Sequence, residues 1–216
     1  MTDTACDDSV LLERWRGGDK RAGEALFERH FDSVYRFFDR KVHRGESGTD
    51  VGDLVQRTFL GCIEAKDRFA GLASFRTYLF AIARNELFGH FRARKRGALV
   101  DFGVSSLAEL SPSPSAIARQ RDARGVLLEC LGALPLELQL TLELRFWEEQ
   151  SGPELAAILE LPEGTVRSRL RRALTELRES ILAREEGAAT ALLPVGEEDL
   201  EVWAARLRGQ ISLDVP

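Results

Sequence analysis

The sequence predicts an all-α protein of two small helical domains joined by a flexible linker. Apolar residues recur at helical spacing almost throughout, and runs of alternating β-branched residues are missing. The periodicity fails between Gly97 and Ser115, where SPSPS at 111–115 favours extended, proline-stiffened backbone. The expected partition is a first helical domain over 1–97, a linker over 98–114, a second helical domain over 115–183 and an extension over 184–216.

The elements follow in order. Val10, Leu11 and Trp15 open a first helix that Gly17-Gly18 interrupts, and Asp19 then caps a second carrying Leu26, Phe27, Phe31, Val34, Phe37 and Phe38. HRGESGTD reads as a loop. A third helix starts at Asp50 or Asp53, with Leu54, Val55, Phe59 and Ile63 on its apolar face, and a fourth runs from about Phe75 to Arg96. Beyond the linker, helix returns from about Ala116 to Gly132, and Pro135 opens another with Leu138, Leu142, Leu144 and Phe146. Ser151-Gly152-Pro153-Glu154 has the spacing of a capping box, which predicts a short helix burying Leu155, Ile158 and Leu159. LPEG ends it. From Pro162 or Glu163 a last helix carries Val166, Leu170, Leu174, Leu177 and Ile181 as its apolar stripe.

Composition narrows the function classes. Hydrophobic residues make up 44% of the 216, enough for packed cores, and the formal net charge of -5 argues against a protein that coats nucleic acid by bulk electrostatics. Local patches remain. Positive residues concentrate at Arg84–Arg96 and Arg167–Arg178, whereas acids crowd the N-terminus, 143–163 and 185–201. No apolar run approaches the roughly 18 residues of a membrane span, and MTDTACDDSV is acidic where a signal peptide is basic, so a cytoplasmic protein is expected. Cys6, Cys62 and Cys130 are widely separated and read as buried or bystander thiols. His30, His43 and His90 join no acid–base or metal constellation, so neither an enzyme nor a cofactor is expected.

Two short helices joined by a tight turn, the second rich in arginine off its apolar stripe, form a helix-turn-helix pattern. With Val166, Leu170 and Leu174 turned inward, Arg167, Ser168, Arg171 and Arg172 face the other way. Arg grips phosphates or donates two bonds to guanine, and Ser serves either purpose, so the expected target is DNA rather than solvent. Arg169 reads as a backbone contact or a solvated charge. The run SFRTYLFAIARNELFGHFRARKR, 74–96, interleaves aromatics with Arg84, Arg92, Arg94 and their neighbours. Such a run suits either melted nucleic acid or a helix core with a solvated basic end, and taken alone the second is the better reading.

Residues 9–96 resemble region 2, and residues 115–182 region 4, of the extracytoplasmic-function (ECF) group of bacterial RNA polymerase sigma factors. The matching text is GDKRAGEALFERHFDSVYRFF, DLVQRTF, DRFAGLASFRTYLFAIARN and LPEGTVRSRLRRALTELRE, in the family's order and spacing. The resemblance implies core RNA polymerase as a partner, met through the beta-prime clamp helices and the beta flap, with Asp53, Leu54, Gln56 and Phe59 near the clamp surface. It implies that Phe69 and Asn85 capture a flipped base of the minus-10 element with Arg84, Arg92 and Arg94 near phosphates, and that Arg167, Ser168, Arg171 and Arg172 enter the minus-35 major groove of promoter DNA. An anti-sigma factor is a further partner that the group admits, although no residue here identifies one. The other reading is a polymerase-independent helix-turn-helix regulator, which leaves DLVQRTF without a use.

Departures from the family pattern are Arg57 where an acid is usual, Tyr78 in place of a frequent Trp, and Glu160 where Gly is common. A left-handed backbone at Glu160 would cost about 1 kcal/mol. The extension past Arg184 reads either as a solvating tail or as an amphipathic segment docking through Leu200, Trp203 and Leu207.

Overall fold

The computed structural model describes residues 7–42, 51–66, 73–94 and 123–184, together with Leu192, Val202, Trp203 and Arg206. The expected loop at HRGESGTD, the 98–114 linker, the start of the helix placed at Ala116, Cys6, Phe69, Leu200 and Leu207 lie outside these residues. Every described element is helical: α1 Asp8–Arg16, α2 Lys20–Asp39, α3 Val51–Ala65, α4 Phe75–Arg94, α5 Ala123–Ala133, α6 Leu136–Phe146, α7 Gly152–Leu159 and α8 Glu163–Leu182. Contacts group α1–α4 into one unit and α5, α6 and α8 into another.

In the first unit the α1–α2 corner follows from its residues. Gly17 caps α1, Gly18 takes a φ of 98°, and Asp19 caps α2 by accepting from the Arg21 and Ala22 N–H groups at 3.1 and 3.3 Å. The Arg14 guanidinium hydrogen-bonds Asp19 at 2.8 Å and holds its carboxyl below the usual carboxylate range, aided by those two backbone bonds. Glycine is also needed at 23, where a Cβ would stand 2.6 Å from the Trp15 ring. Trp15 meets Phe27 edge-on at 5.2 Å, and Phe27 meets Phe59 of α3 at 4.6 Å. Ser74 accepts from the Thr77 N–H at 3.1 Å and so starts α4 where the sequence places it.

The aromatic–basic run resolves as core. Phe75, Phe80, Phe88 and Phe91 are buried in the unit, and Tyr78 is half-buried, so α4 offers no stacking platform along its length. His90 is buried as well, and desolvation, then the charges of Arg94 and Arg57, hold its pKa below the ordinary histidine value. Cys62 is a free, buried thiol, pushed up to about 12 by desolvation, which leaves it unreactive as a nucleophile. Three apolar expectations fail: Val10 and Phe31 are each 47% exposed and Ile63 is 45% exposed. Phe31 and Ile63 follow the helical period, yet among the described residues no neighbouring helix covers them.

In the second unit α5 is apolar on nearly every side, burying Val126, Leu127, Cys130 and Leu131, with Leu128 half-buried. Such a helix needs cover all round. Pro135 occupies the N-cap of α6 as expected, and the Gln139 amide donates to the carbonyls of Leu134 and Gly132 at 2.5 and 3.2 Å, closing the α5–α6 corner. α8 supplies Val166, Leu170, Ala173, Leu174, Leu177 and Ile181 as its buried stripe. Arg184, past its end, pairs with Glu129 of α5.

Two described residues of the extension pack here. Leu192 and Trp203 are fully buried in the same cluster as Val126, Leu127, Leu138, Leu174 and Leu177. The Trp203 indole N–H donates to the Leu192 carbonyl at 2.6 Å, so a large apolar ring enters the core with its one polar atom satisfied.

Candidate nucleic-acid interface

The turn before α8 is built as its residues dictate. Glu154 accepts from both the backbone N–H and the hydroxyl of Ser151, at 2.8 and 2.6 Å, which is the carboxylate half of the capping box, and Ser151 O accepts from the Leu155 N–H. Leu155, Ile158 and Leu159 are buried as the pattern requires. Glu160 then adopts a φ of 56°, the left-handed backbone for which glycine is suited. Glu160→Gly is therefore expected to raise stability by about 0.5–1 kcal/mol, read by thermal or denaturant unfolding. An unchanged or lower midpoint would show that the strain is relieved elsewhere.

Along α8 the side chains divide cleanly. Val166 and Leu170 are buried, while Arg167, Ser168, Arg171 and Arg172 are exposed together on the opposite side. Ser168 donates to the Thr165 carbonyl at 2.9 Å, and Arg172 bonds Glu176 one turn on at 2.6 Å. That second pair is an exposed i,i+4 ion pair, whose small energy makes it exchangeable for a phosphate. Arg169 behaves otherwise: it is neither a solvated charge nor exposed with its neighbours, but pairs with Glu137 of α6 at 2.6 Å.

On α4, Asn85, Gly89 and Arg92 are exposed at helical spacing and share a face. The Arg84 guanidinium lies 4.9 Å from the Phe88 ring and donates to the Asn85 carbonyl oxygen at 3.3 Å, so stacking and a hydrogen bond orient both side chains. Arg94 is half-buried near the end of the helix. The structure thus brings Asn85 and Arg92 onto one exposed face, with Arg84 mostly buried beside them and Phe69 outside the described residues.

On α3, Asp53 and Gln56 are exposed, but Leu54 is fully buried and serves packing instead of the outer surface assigned to it. Phe59 is buried at the rim, stacked 6.4 Å from Phe31. The outer stripe continues through Leu60 and Ile63, each close to half exposed, at positions i+4 and i+7 from Gln56. Leu60, Ile63 and Phe31 were not singled out by motif. Their signal was available in the period, which turns Leu60 about 120° away from Leu54 around the helix, but exposure depends on what the rest of the fold leaves uncovered.

Comparison with known proteins decides the family. Residues 26–97 match the Sigma-70 region 2 model and residues 124–177 the Sigma-70, region 4 model. An ECF RNA polymerase sigma-E factor of Salmonella typhimurium is 33% identical over 176 residues, spanning 77% of this chain and 90% of that one. The chain belongs to the ECF sigma factors. The sigma-E factor of Escherichia coli K12 matches equally, and an RNA polymerase sigma-H factor of Pseudomonas aeruginosa is 30% identical, over 77% of this chain and 89% of its own.

Among solved structures, CnrH in complex with the cytosolic domain of CnrY is 26% identical, with a TM-score of 0.58 over 82% of this sigma factor and 99% of that chain. The sigma factor RpoE in complex with the anti-sigma factor NepR, from Bartonella quintana, is 21% identical with a TM-score of 0.53, over 75% and 98% of the two chains, and shares the fold. In this sigma factor the region 2 match spans most of α2 with α3 and α4, and the region 4 match spans α5, α6, α7 and most of α8. The region 4 match ends at residue 177, so Leu192 and Trp203 complete a core from outside the matched segment.

Proposed function

We propose that this ECF sigma factor binds core RNA polymerase through the outer stripe of α3 and directs it to promoters by a two-point grip on DNA. The observation that carries the reading is the division of α8 into a buried stripe and an opposed exposed set, Arg167, Ser168, Arg171 and Arg172. That set would lie in the major groove of the minus-35 element. Asn85 of α4, whose amide both donates and accepts, would hold an unpaired base of the minus-10 element together with Phe69, while Arg84, Arg92 and Arg94 neutralise nearby phosphates.

Asp53 and Gln56, with Phe59 at the rim, would meet the beta-prime clamp helices, and region 4 the beta flap. In this arrangement the domain partition is 1–97, 98–114, 115–183 and 184–216, with the linker joining the two grips on the two elements. The factor performs no catalysis itself, because binding energy to the unpaired strand drives melting. It acts in the cytoplasm, and among the described residues no helix is long and apolar enough to cross a membrane. An anti-sigma factor is a further partner, by analogy with the relatives solved in complexes. A polymerase-independent regulator would have no use for the exposed apolar stripe on α3.

Run-off transcription with core polymerase and a promoter library tests the whole reading. Arg171→Ala is expected to cost about 1–3 kcal/mol at a matched minus-35 element, and Asn85→Ala a similar amount at minus-10 only. Transcription unaffected by either substitution would overturn the assignment of these surfaces.

A further inference from the structure

Arg169 breaks the pattern of α8. It lies between exposed Ser168 and buried Leu170, its side chain is only 20% exposed, and its Nη2 stands 2.6 Å from Oε2 of Glu137, itself 29% exposed. The pair forms part of the wall of a groove of about 270 Å³ whose other lining residues include Thr165, Ser168 and Arg172. Ser168 and Arg172 belong to the set that faces DNA, so a cation and an anion are locked together at the edge of that surface. The Arg172–Glu176 pair makes the contrast: its arginine is 62% exposed and both partners ride on one helix, so water and phosphate compete for it easily. Arg169 and Glu137 come from different helices and are largely withdrawn from water, where opening the pair strands a poorly solvated charge.

We infer that Glu137 is a specificity-determining residue: it withholds Arg169 from the DNA backbone and sets its carboxylate beside the phosphate track. The inference rests on the reading of α8 as the DNA-facing helix. Phosphate contacts bring affinity for any sequence, whereas base contacts discriminate. Consuming one arginine inside the domain therefore lowers binding to random duplex more than it lowers the preference for the promoter element.

The test is the salt dependence of binding by the full chain, measured by anisotropy on a short random-sequence duplex and on a promoter duplex. Glu137→Gln keeps the shape and removes the charge. The expected result is a log K versus log salt slope steeper by about 0.9, so that the variant loses about 3.5-fold more affinity than wild type between roughly 50 and 200 mM salt, with a smaller promoter-to-random ratio. Combining it with Arg169→Gln should return the slope to that of wild type. Arg169→Gln alone should leave the slope unchanged.

A flatter slope for Arg169→Gln alone would show that Arg169 already grips phosphate and would overturn the inference. So would a Glu137→Gln effect that persists in the double variant, since that is repulsion relieved without any arginine released. Arg167→Ala separates the two levels of argument: if it leaves binding to both duplexes unchanged, the DNA-facing reading of α8 itself fails. If it weakens binding while Glu137→Gln changes nothing, only the role of Glu137 fails.

Discussion

Replacing Trp203 with alanine is expected to destabilise the region 4 unit by about 3–5 kcal/mol, the cost of removing a large aromatic side chain from a packed core. Trp203 is fully buried among residues of α5, α6 and α8, and its removal opens a cavity beside α5, which has little polar surface to turn outward. The Leu192 carbonyl also loses its donor. Against a total stability of about 5–15 kcal/mol for a domain, such a loss leaves region 4 barely folded. Deleting residues 185–216 should do the same. Denaturant unfolding followed by far-UV circular dichroism would show one transition moving to lower denaturant while that of region 2 stays in place. Trp203→Phe should lie between, restoring apolar volume but leaving the carbonyl unpaired. Coincident curves for wild type and the alanine variant would mean that the extension adds nothing to the core.

The second large effect concerns polymerase. Leu60→Asp with Ile63→Asp is expected to lower affinity for core RNA polymerase by about 2 kcal/mol or more, roughly 30-fold, because charge would be buried at the centre of the contact. Both side chains are close to half exposed, so the fold should change by no more than about 1 kcal/mol. Leu54→Ala is the opposing control. Its side chain is fully buried, so it should cost about 2–5 kcal/mol of stability while leaving the outer surface of α3 intact. Competition binding with labelled sigma factor distinguishes the two, and full affinity in the double aspartate variant would exclude this face of α3 from the interface.

What could be read from the sequence depended on whether a property is local. The capped start of α2 at Asp19, Pro135 at the head of α6 and the left-handed Glu160 are set by a few neighbouring residues, and each stands where the chain predicts it. The exposed set on α8 follows from periodicity alone. Properties set by distant parts of the chain were not legible. Leu54 and Leu60 are both leucines on one helix, and only the packing of α2 and α4 decides that the first is core and the second surface. The Arg169–Glu137 pair joins residues 32 positions apart by sequence number (169 − 137), with no motif linking them. Trp203 was recognisable as an anchor by its type and spacing, but its receptor, the exposed side of α5, exists only once α6 and α8 are in place.

Trp203 also fixes an order of events during synthesis. Helices α1–α4 carry a core of their own and can close as soon as they leave the ribosome. Region 4 waits: α8 is complete at Leu182, yet the ring that fills its cluster lies at position 203. At translation rates of about 5–20 residues per second, the apolar side of α5 stays bare for about 1–4 s after α8 has emerged. In that window the nascent chain exposes an apolar surface that Trp203 covers in the finished protein.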